Sequence, residues 1–142
     1  MTTWLIKTEP DDYSYNDLVR DKQTAWTGVA NAAAQKHMRS IEKGDEVLVY
    51  HTGDEKRIAG LGRVVKGAYE DPAHAGERTA AGEMKFVLFD CAPKKRASKA
   101  VTLADIKADA RFADFALVKQ SRLSVMPVPA DLDAVLRGLA GL

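Results

Sequence analysis

The chain has 142 residues, of which 46% are hydrophobic and 29% charged, a composition typical of a globular protein with one sizeable core. Its 21 Lys and Arg residues nearly balance 20 Asp and Glu, so the net charge of +1 supplies no overall attraction to nucleic acid or membrane. The single cysteine excludes an internal disulfide, and neither a membrane-spanning apolar run nor a signal-like N-terminus is present. We therefore expect one cytoplasmic domain spanning 1–142, and a monomer.

The N-terminal third predicts one strand and two helices. Trp4–Lys7 is a short apolar run with strand character. Ser14 followed by Asp17 has the spacing of a capping box, which predicts the start of a short helix. Asn31 is the predicted N-cap of a second helix that runs to about Glu42.

The stretch from Asp45 to Val65 predicts a β-hairpin, because apolar residues alternate on both sides of a polar turn. Both faces are apolar, as in strands that are covered on both sides in a closed or nearly closed barrel. Gly60 and Gly62 share one face, which indicates a bend or a close approach to the backbone. Tyr50 and His51 end the first run, so we expect them at a barrel rim and near a functional site.

The C-terminal half predicts two more strands, Met84–Cys91 and Leu123–Val128, and an amphipathic helix over Asp131–Leu139. Between them we expect an exposed loop over Tyr69–Gly82 and a basic connector over Ala92–Ala100. About five strands interleaved with short helices indicate an α+β protein. A small mixed β-barrel is the leading architecture, and a two-layer sandwich is the alternative.

An ordered set of short motifs spans nearly the whole chain. They are Trp4–Pro10, Trp26–Val29 with Asn31, Met38–Arg39, Gly44–Asp45, Tyr50–Thr52, Ile58–Gly60, Ala68–Pro72 and Arg122–Pro127. Together they resemble the EVE domain, a member of the PUA-like superfamily that is related to YTH domains. The resemblance implies a PUA-like β-barrel flanked by helices. It also implies a pocket that takes a modified base flipped out of DNA or RNA.

Some positions depart from this family pattern. Ala30 and Gln35 stand where the family usually has Arg, and Ala32 and Ala33 replace an aromatic or polar pair. The loss of two cations weakens the case for phosphate binding on the second helix. Phe86 stands where a tryptophan is expected near the pocket, which keeps a stacking face but removes an N–H donor.

Three aromatic side chains are candidates for the walls of such a pocket: Trp26, Tyr50 and Phe86. A flipped base is held by stacking on aromatic rings and by hydrogen bonds to its edge, and stacking contributes about 1–3 kcal/mol per base. The alternative for each of the three is a place in the hydrophobic core.

Seven polar side chains are candidates for reading the base: Lys7, Thr8, Glu9, Asn31, His51, Arg122 and Ser124. Lys7–Glu9 end the first strand, where side chains reach a barrel mouth. Arg122 and Ser124 lie two apart on one strand face, where an arginine can contact a base edge or a phosphate. The structural alternatives are a solvated strand end, a helix cap for Asn31, a buried structural His51 and an ion pair for Arg122.

The basic connector offers weak contacts to a phosphate backbone through Lys94, Lys95, Arg96 and Lys99, with solvated surface as the alternative. The three histidines lack the spacing of metal ligands, so we expect no metal site and no cofactor. Cys91 is expected to be buried and inert.

These observations favour a non-enzymatic module that binds a modified nucleobase in DNA or RNA. The first alternative is an enzyme acting on a free nucleoside or nucleotide with Glu9 or His51 as acid or base. No nucleophile–base pair or phosphate-binding glycine loop supports that alternative. The second alternative is a small-molecule binder that does not touch polymer, which Ala30 and Gln35 favour.

Overall fold

The computed structural model describes all 142 residues, which form one six-stranded sheet with five helices packed around it. The strands are β1 (Thr3–Thr8), β2 (Thr24–Ala25), β3 (Glu46–His51), β4 (Arg57–Glu70), β5 (Val87–Thr102) and β6 (Val125–Val128). The helices are α1 (Tyr15–Asp21), α2 (Ala32–Met38), α3 (Leu103–Ala108), α4 (Ala116–Lys119) and α5 (Ala130–Ala140). None of these helices has the length and apolar character needed to cross a lipid bilayer.

The sheet is mixed and has the order β2-β5-β4-β3-β1-β6. β1 runs parallel to β3 and antiparallel to β6, and the β3–β4–β5 pairs are antiparallel. The strands curve into a rough barrel that does not close, because β2 and β6 remain as edges. The predicted α+β class with a mixed barrel is confirmed. The sixth strand, β2, has two residues, too few for any period to predict it.

The predicted hairpin corresponds to β3 and the first part of β4. All six residues of β3 are buried, which confirms that both of its faces are covered. A Cβ added at Gly60 would lie 2.5 Å from the ring of Tyr15. The Tyr15 hydroxyl donates a hydrogen bond to the Leu61 carbonyl oxygen at 2.6 Å. The close approach predicted at Gly60 is therefore made by a fully buried tyrosine from α1, whereas at Gly62 an added Cβ would meet Val47 and the Ala92 carbonyl oxygen.

The helix starts follow the predicted caps. Ser14 with Asp17 forms a capping box on α1, and the Asn31 side-chain oxygen accepts a hydrogen bond from the Ala34 N–H at 3.0 Å. The second helix is shorter than predicted, because α2 ends at Met38 rather than near Glu42. Tight turn hydrogen bonds after Met38 redirect the chain there and let Ile41 enter the core.

The predicted basic connector over Ala92–Ala100 is wrong, because these residues belong to β5. β5 starts at Val87, three residues later than predicted, and pairs with β4 as far as Thr102. The pairing shifts register several times, and one shift places Pro93 opposite Gly62, which is how the ladder accommodates a proline. β4 likewise continues to Glu70, so the predicted loop at 69–82 begins two residues later than expected.

The C-terminal elements also differ from the prediction in detail. β6 begins at Val125, so Arg122 and Ser124 precede it and do not share a strand face. On α5 the buried side is formed by Leu132, Leu136 and Ala140, which are spaced four apart. Leu139, the last residue of the predicted helix, is 42% exposed because it lies outside that stripe.

Candidate functional site

A cleft of about 460 Å³ opens where β1 ends, beside the loop that follows β2. This volume is in the range of small-molecule sites. Five of the ten predicted site residues line it: Lys7, Thr8, Glu9, Trp26 and Ser124. The structure thus brings together the end of the first strand, the Trp26 loop and the segment before β6.

Trp26 forms a rigid wall of the cleft. Its side chain packs on the ring of Phe89, with centroids 6.3 Å apart and planes 21° from parallel. The ring of Tyr13 meets it edge-on, with centroids 6.2 Å apart and planes 87° apart. The backbone N–H of Trp26 also donates a hydrogen bond to the Phe89 carbonyl oxygen at 2.8 Å. Only 6% of Trp26 is exposed, so these contacts hold the indole in one place.

The indole N–H of Trp26 is an unused donor. It has no hydrogen-bond partner in the protein, and its nitrogen is not fully buried. The N–H is therefore accessible to solvent. The other tryptophan differs, because the indole N–H of Trp4 donates to Asp45 Oδ2 at 3.0 Å. Buried tryptophans normally find such a partner. Trp26 lines the cleft, and its indole N–H is left without a partner in the protein.

The floor of the cleft is built by short contacts between the chain segments that meet there. The Lys7 N–H donates to the Ser124 carbonyl oxygen at 2.9 Å, and the Thr8 hydroxyl donates to the Tyr13 carbonyl oxygen at 2.6 Å. Lys7 Nζ donates to the Ser121 carbonyl oxygen at 3.0 Å. Burial lowers the pKa of Lys7. The Ser124 hydroxyl has no partner, so it is available to a ligand as donor or acceptor.

Two carboxylates balance the lysine at the cleft. Glu9 Oε1 accepts a hydrogen bond from the Asp11 N–H at 3.2 Å, and the Thr52 hydroxyl donates to Glu9 Oε2 at 3.4 Å. Asp12 also lines the cleft. One cation against two carboxylates gives the lining a charge of −1, which disfavours a phosphate inside the cleft and suits an uncharged ring with N–H donors.

The other five predicted site residues do not line this cleft. Tyr50 faces a neighbouring cavity, and Phe86 lies in a third cavity against His74, with ring centroids 4.2 Å apart. Asn31 is the exposed cap of α2. Arg122 is exposed and forms no ion pair, which excludes the structural alternative weighed for it.

His51 has a structural place. The Tyr15 N–H, at the start of α1, donates to His51 Nε2 at 3.0 Å. The other ring nitrogen, Nδ1, lies 3.0 Å from Glu55 Oε1. Both ring nitrogens are thus committed to protein partners, and the imidazole joins β3 to the start of α1.

The sequence analysis missed the two aromatic residues that pack on Trp26, Tyr13 in the cleft wall and Phe89 behind it. The aromatic behind Trp26 is Phe89, not Phe86, because β5 starts at Val87 and Phe89 pairs with Trp26 across the β2 edge. The alternation within the strand predicted at 84–91 puts Phe89 on one face. Which aromatic meets it from across the sheet is a tertiary contact that no sequence spacing reveals.

Gln35 explains one departure from the family pattern. It is 3% exposed, and its Nε2 donates to the Val29 carbonyl oxygen at 2.8 Å. Its Oε1 accepts from the Val87 N–H at 2.9 Å. Gln35 therefore fastens the Val29 side of the cleft to the start of β5, and it does not offer itself to a ligand.

The four basic residues proposed for a phosphate backbone are divided along β5. Lys94 pairs with the buried Glu46, and Arg96 donates to Asn16 Oδ1 at 2.6 Å and lies 5.4 Å from the ring centroid of Tyr15. Lys95 and Lys99 are exposed and have no side-chain partner. Two of the four are thus held by the protein itself.

Cys91 is fully buried on β5, as predicted, and burial raises the pKa of its thiol to about 12. A thiol in that state is a poor nucleophile at neutral pH. No group of three or more His, Cys, Asp or Glu side chains is arranged to hold a metal ion.

Comparison with solved structures gives matches over the whole chain. A protein from Rhodopseudomonas palustris is 38% identical, with a TM-score of 0.87 over 99% of this chain and 94% of that one. The DUF55 domain of human thymocyte nuclear protein 1 is 30% identical, with a TM-score of 0.80 over 99% of both chains. Human THYN1, solved in complex with DNA containing 5-methylcytosine, is 24% identical and shares the fold, with a TM-score of 0.86 over 100% of this chain and 99% of that one.

No match to a functionally curated protein was found. The EVE domain family model matches residues 2–137, which is nearly the full length. The chain therefore belongs to the EVE domain family.

Proposed function

We propose that this protein binds a modified nucleobase, foremost 5-methylcytosine, that is flipped out of DNA into the Trp26 cleft. The observation that carries the proposal is the unpaired indole N–H of Trp26 on a ring held rigidly at a cleft of about 460 Å³. The human relative solved with 5-methylcytosine DNA supports the choice of ligand.

A flipped base leaves its pairing edge without partners, so a pocket must supply donors and acceptors. Cytosine offers an amino donor and ring acceptors at that edge. Trp26 Nε1 and Lys7 are the donors at the cleft, and the Glu9 carboxylate is the acceptor for an amino group. Val29 and Tyr13 add apolar surface for a methyl group. The role is binding, without turnover.

The charge of the cleft supports recognition of the base rather than of its phosphate. With Lys7 against Glu9 and Asp12, a phosphate inside the cleft would meet net repulsion. Polymer phosphates therefore lie outside, and a salt-dependent contribution to affinity reports them. A free nucleoside, the alternative ligand, would show no such dependence.

The test removes the donor and keeps the ring. Trp26→Phe should weaken binding of an oligonucleotide carrying one 5-methylcytosine by about 3–10-fold, the effect of one hydrogen bond. The measurement is a fluorescence-anisotropy titration against the same oligonucleotide with unmodified cytosine, at two salt concentrations.

Trp4→Phe is the matched control, because it also removes one indole N–H but at a site bonded to Asp45. Trp4→Phe should lower the free energy of unfolding and leave the affinity for the 5-methylcytosine oligonucleotide unchanged. Equal affinities of wild type for modified and unmodified DNA, or equal losses in the two variants, would contradict the proposal.

A further inference from the structure

A second cavity, of about 180 Å³, lies next to the Trp26 cleft and shares Lys7 with it. Two further lysines line it, Lys56 from the β3–β4 turn and Lys107 from α3. No Asp or Glu lines this cavity, so its three cations give it a charge of +3, the opposite sign to the cleft. Two adjacent cavities of opposite charge suit the two parts of a nucleotide, an uncharged base and an anionic phosphate.

Two of the three lysine side chains of this cavity have no partner in the protein. Lys56 and Lys107 form neither a hydrogen bond nor an ion pair, unlike Lys94 and Lys119, which both pair with carboxylates. The Lys7 ammonium group donates one of its three N–H groups to the Ser121 carbonyl oxygen, so two N–H donors remain for a ligand. The Glu9 carboxylate contacts the Thr52 hydroxyl at the edge of the cavity.

A tyrosine that is buried except for its hydroxyl, Tyr50, also lines this cavity. Only 3% of Tyr50 is exposed. Its hydroxyl has no hydrogen-bond partner in the protein and is accessible to solvent. Burial raises the pKa of Tyr50, so the hydroxyl keeps its proton and acts as a donor at neutral pH. Lys7 Nζ lies 6.0 Å from the Tyr50 ring centroid. An unused donor on a buried tyrosine, beside unpaired lysines, is difficult to explain as solvated surface alone.

We propose that this second cavity binds a phosphate group of the nucleotide whose base enters the Trp26 cleft, with Lys7 between the two. The inference rests on the proposed function and extends the ligand from a base to a nucleotide. It assigns phosphate binding to Lys7, Lys56 and Lys107 with Tyr50, in place of the basic residues on β5. Charge-assisted hydrogen bonds to phosphate are the strong ones in proteins.

The test compares ligands with and without the phosphate. Wild type should bind the 5′- or 3′-monophosphate of 5-methyl-2′-deoxycytidine about 10-fold or more tightly than the nucleoside, as expected for hydrogen bonds to a charged group. The double variant Lys56→Gln/Lys107→Gln should lose that gain and keep the wild-type affinity for the nucleoside. Isothermal titration calorimetry gives all the affinities.

The matched control, Lys95→Gln/Lys99→Gln, removes the same charge from β5 and should keep the gain. Equal affinity of wild type for nucleoside and monophosphates would overturn the inference while leaving the base-binding proposal standing. An equal loss in both double variants would also overturn it, because the effect would then be one of net charge.

A further arm separates the sources of the phosphate. An oligonucleotide that binds more tightly than the monophosphates, and loses affinity when the phosphates beside 5-methylcytosine are neutral methylphosphonates, supports the cavity and assigns it a polymer phosphodiester. Monophosphates that bind more tightly than the oligonucleotide support the cavity and assign it a free nucleotide.

If neither nucleoside nor oligonucleotide binds, the base-binding proposal fails, and inorganic phosphate then tests the cavity alone. Phosphate-dependent shifts of the Lys56 and Ser121 amide resonances, absent in Lys56→Gln/Lys107→Gln, would support it. No shifts would overturn it.

Discussion

The two tryptophans differ in whether the protein itself supplies a partner for the indole N–H. Trp4 is buried on β1, and its N–H is bonded to a carboxylate. Trp26 is buried almost as deeply, but its indole N–H has no partner in the protein. Burial alone does not separate them. What separates them is whether the indole N–H has a hydrogen-bond partner in the protein.

Asp45 shows the structural case from the side of the acceptor. Its carboxylate accepts hydrogen bonds from the N–H groups of Thr2 and Glu42 and from the indole of Trp4, at 2.9–3.0 Å. Burial alone would raise the pKa of Asp45, but these hydrogen bonds outweigh it and the pKa is lowered. A lowered pKa means that the carboxylate stabilises the fold above its unfolded pKa, and that this stability is lost as the pH falls through the folded pKa.

Asp45→Asn should therefore lower the free energy of unfolding at pH 7 by about 1.5–3 kcal/mol, the range for hydrogen bonds to a charged group. The difference from wild type should shrink below about pH 4, where the unfolded carboxyl titrates. Urea unfolding at a series of pH values from 3 to 7 measures both. Asp54→Asn, at an exposed carboxylate without partners, is the control and should follow wild type throughout. A constant difference across the series would exclude the carboxylate as the cause.

The elements of this fold depend on glycines for different reasons. Gly60 is on β4, where an added Cβ would lie 2.5–2.8 Å from three ring atoms of the buried Tyr15. Gly138 is on α5, where an added Cβ would have no atom within 4 Å, and its φ is not positive. The first position has no room for a methyl group, and the second has only the entropic disadvantage of glycine in a helix.

Gly60→Ala should accordingly lower the free energy of unfolding by about 1–3 kcal/mol, because the tyrosine ring must shift in a packed core. Gly138→Ala should raise it by about 0.5–1 kcal/mol. Both values come from urea unfolding followed by circular dichroism. Two variants with changes of the same sign would contradict the packing described for β4 and α1.

Among the elements, those set by residues close together in the sequence were predicted better than those set by pairing with distant strands. The capping box of α1, the Asn31 cap and the hairpin depend on residues within a few positions of each other, and the structure confirms them. The course of β5 through Lys94–Lys99 was missed. A lysine-rich run has no strand pattern of its own, and its conformation is set by pairing with β4.

For the whole molecule, the structure brings five of the ten predicted site residues to one cleft. Lys7–Glu9, Trp26 and Ser124 do meet at one cleft, although they are far apart in the chain. His51 and Phe86 have structural surroundings elsewhere. Tyr13 and Phe89 were missed, because ring-on-ring contacts form only when separate strands and loops are assembled.

The molecule as a whole offers a direct optical test, because it has only two tryptophans. In Trp4→Phe, Trp26 is the single indole fluorophore, and circular dichroism checks that the fold is kept. A base that enters the cleft must contact or approach the Trp26 ring.

The decisive measurement is the titration of Trp4→Phe with a short DNA duplex that carries one 5-methylcytosine. We expect saturable quenching of Trp26 fluorescence that is weaker with unmodified cytosine. Binding detected by anisotropy on a labelled duplex without any change in Trp26 fluorescence would contradict the account, because the base would then bind somewhere other than this cleft.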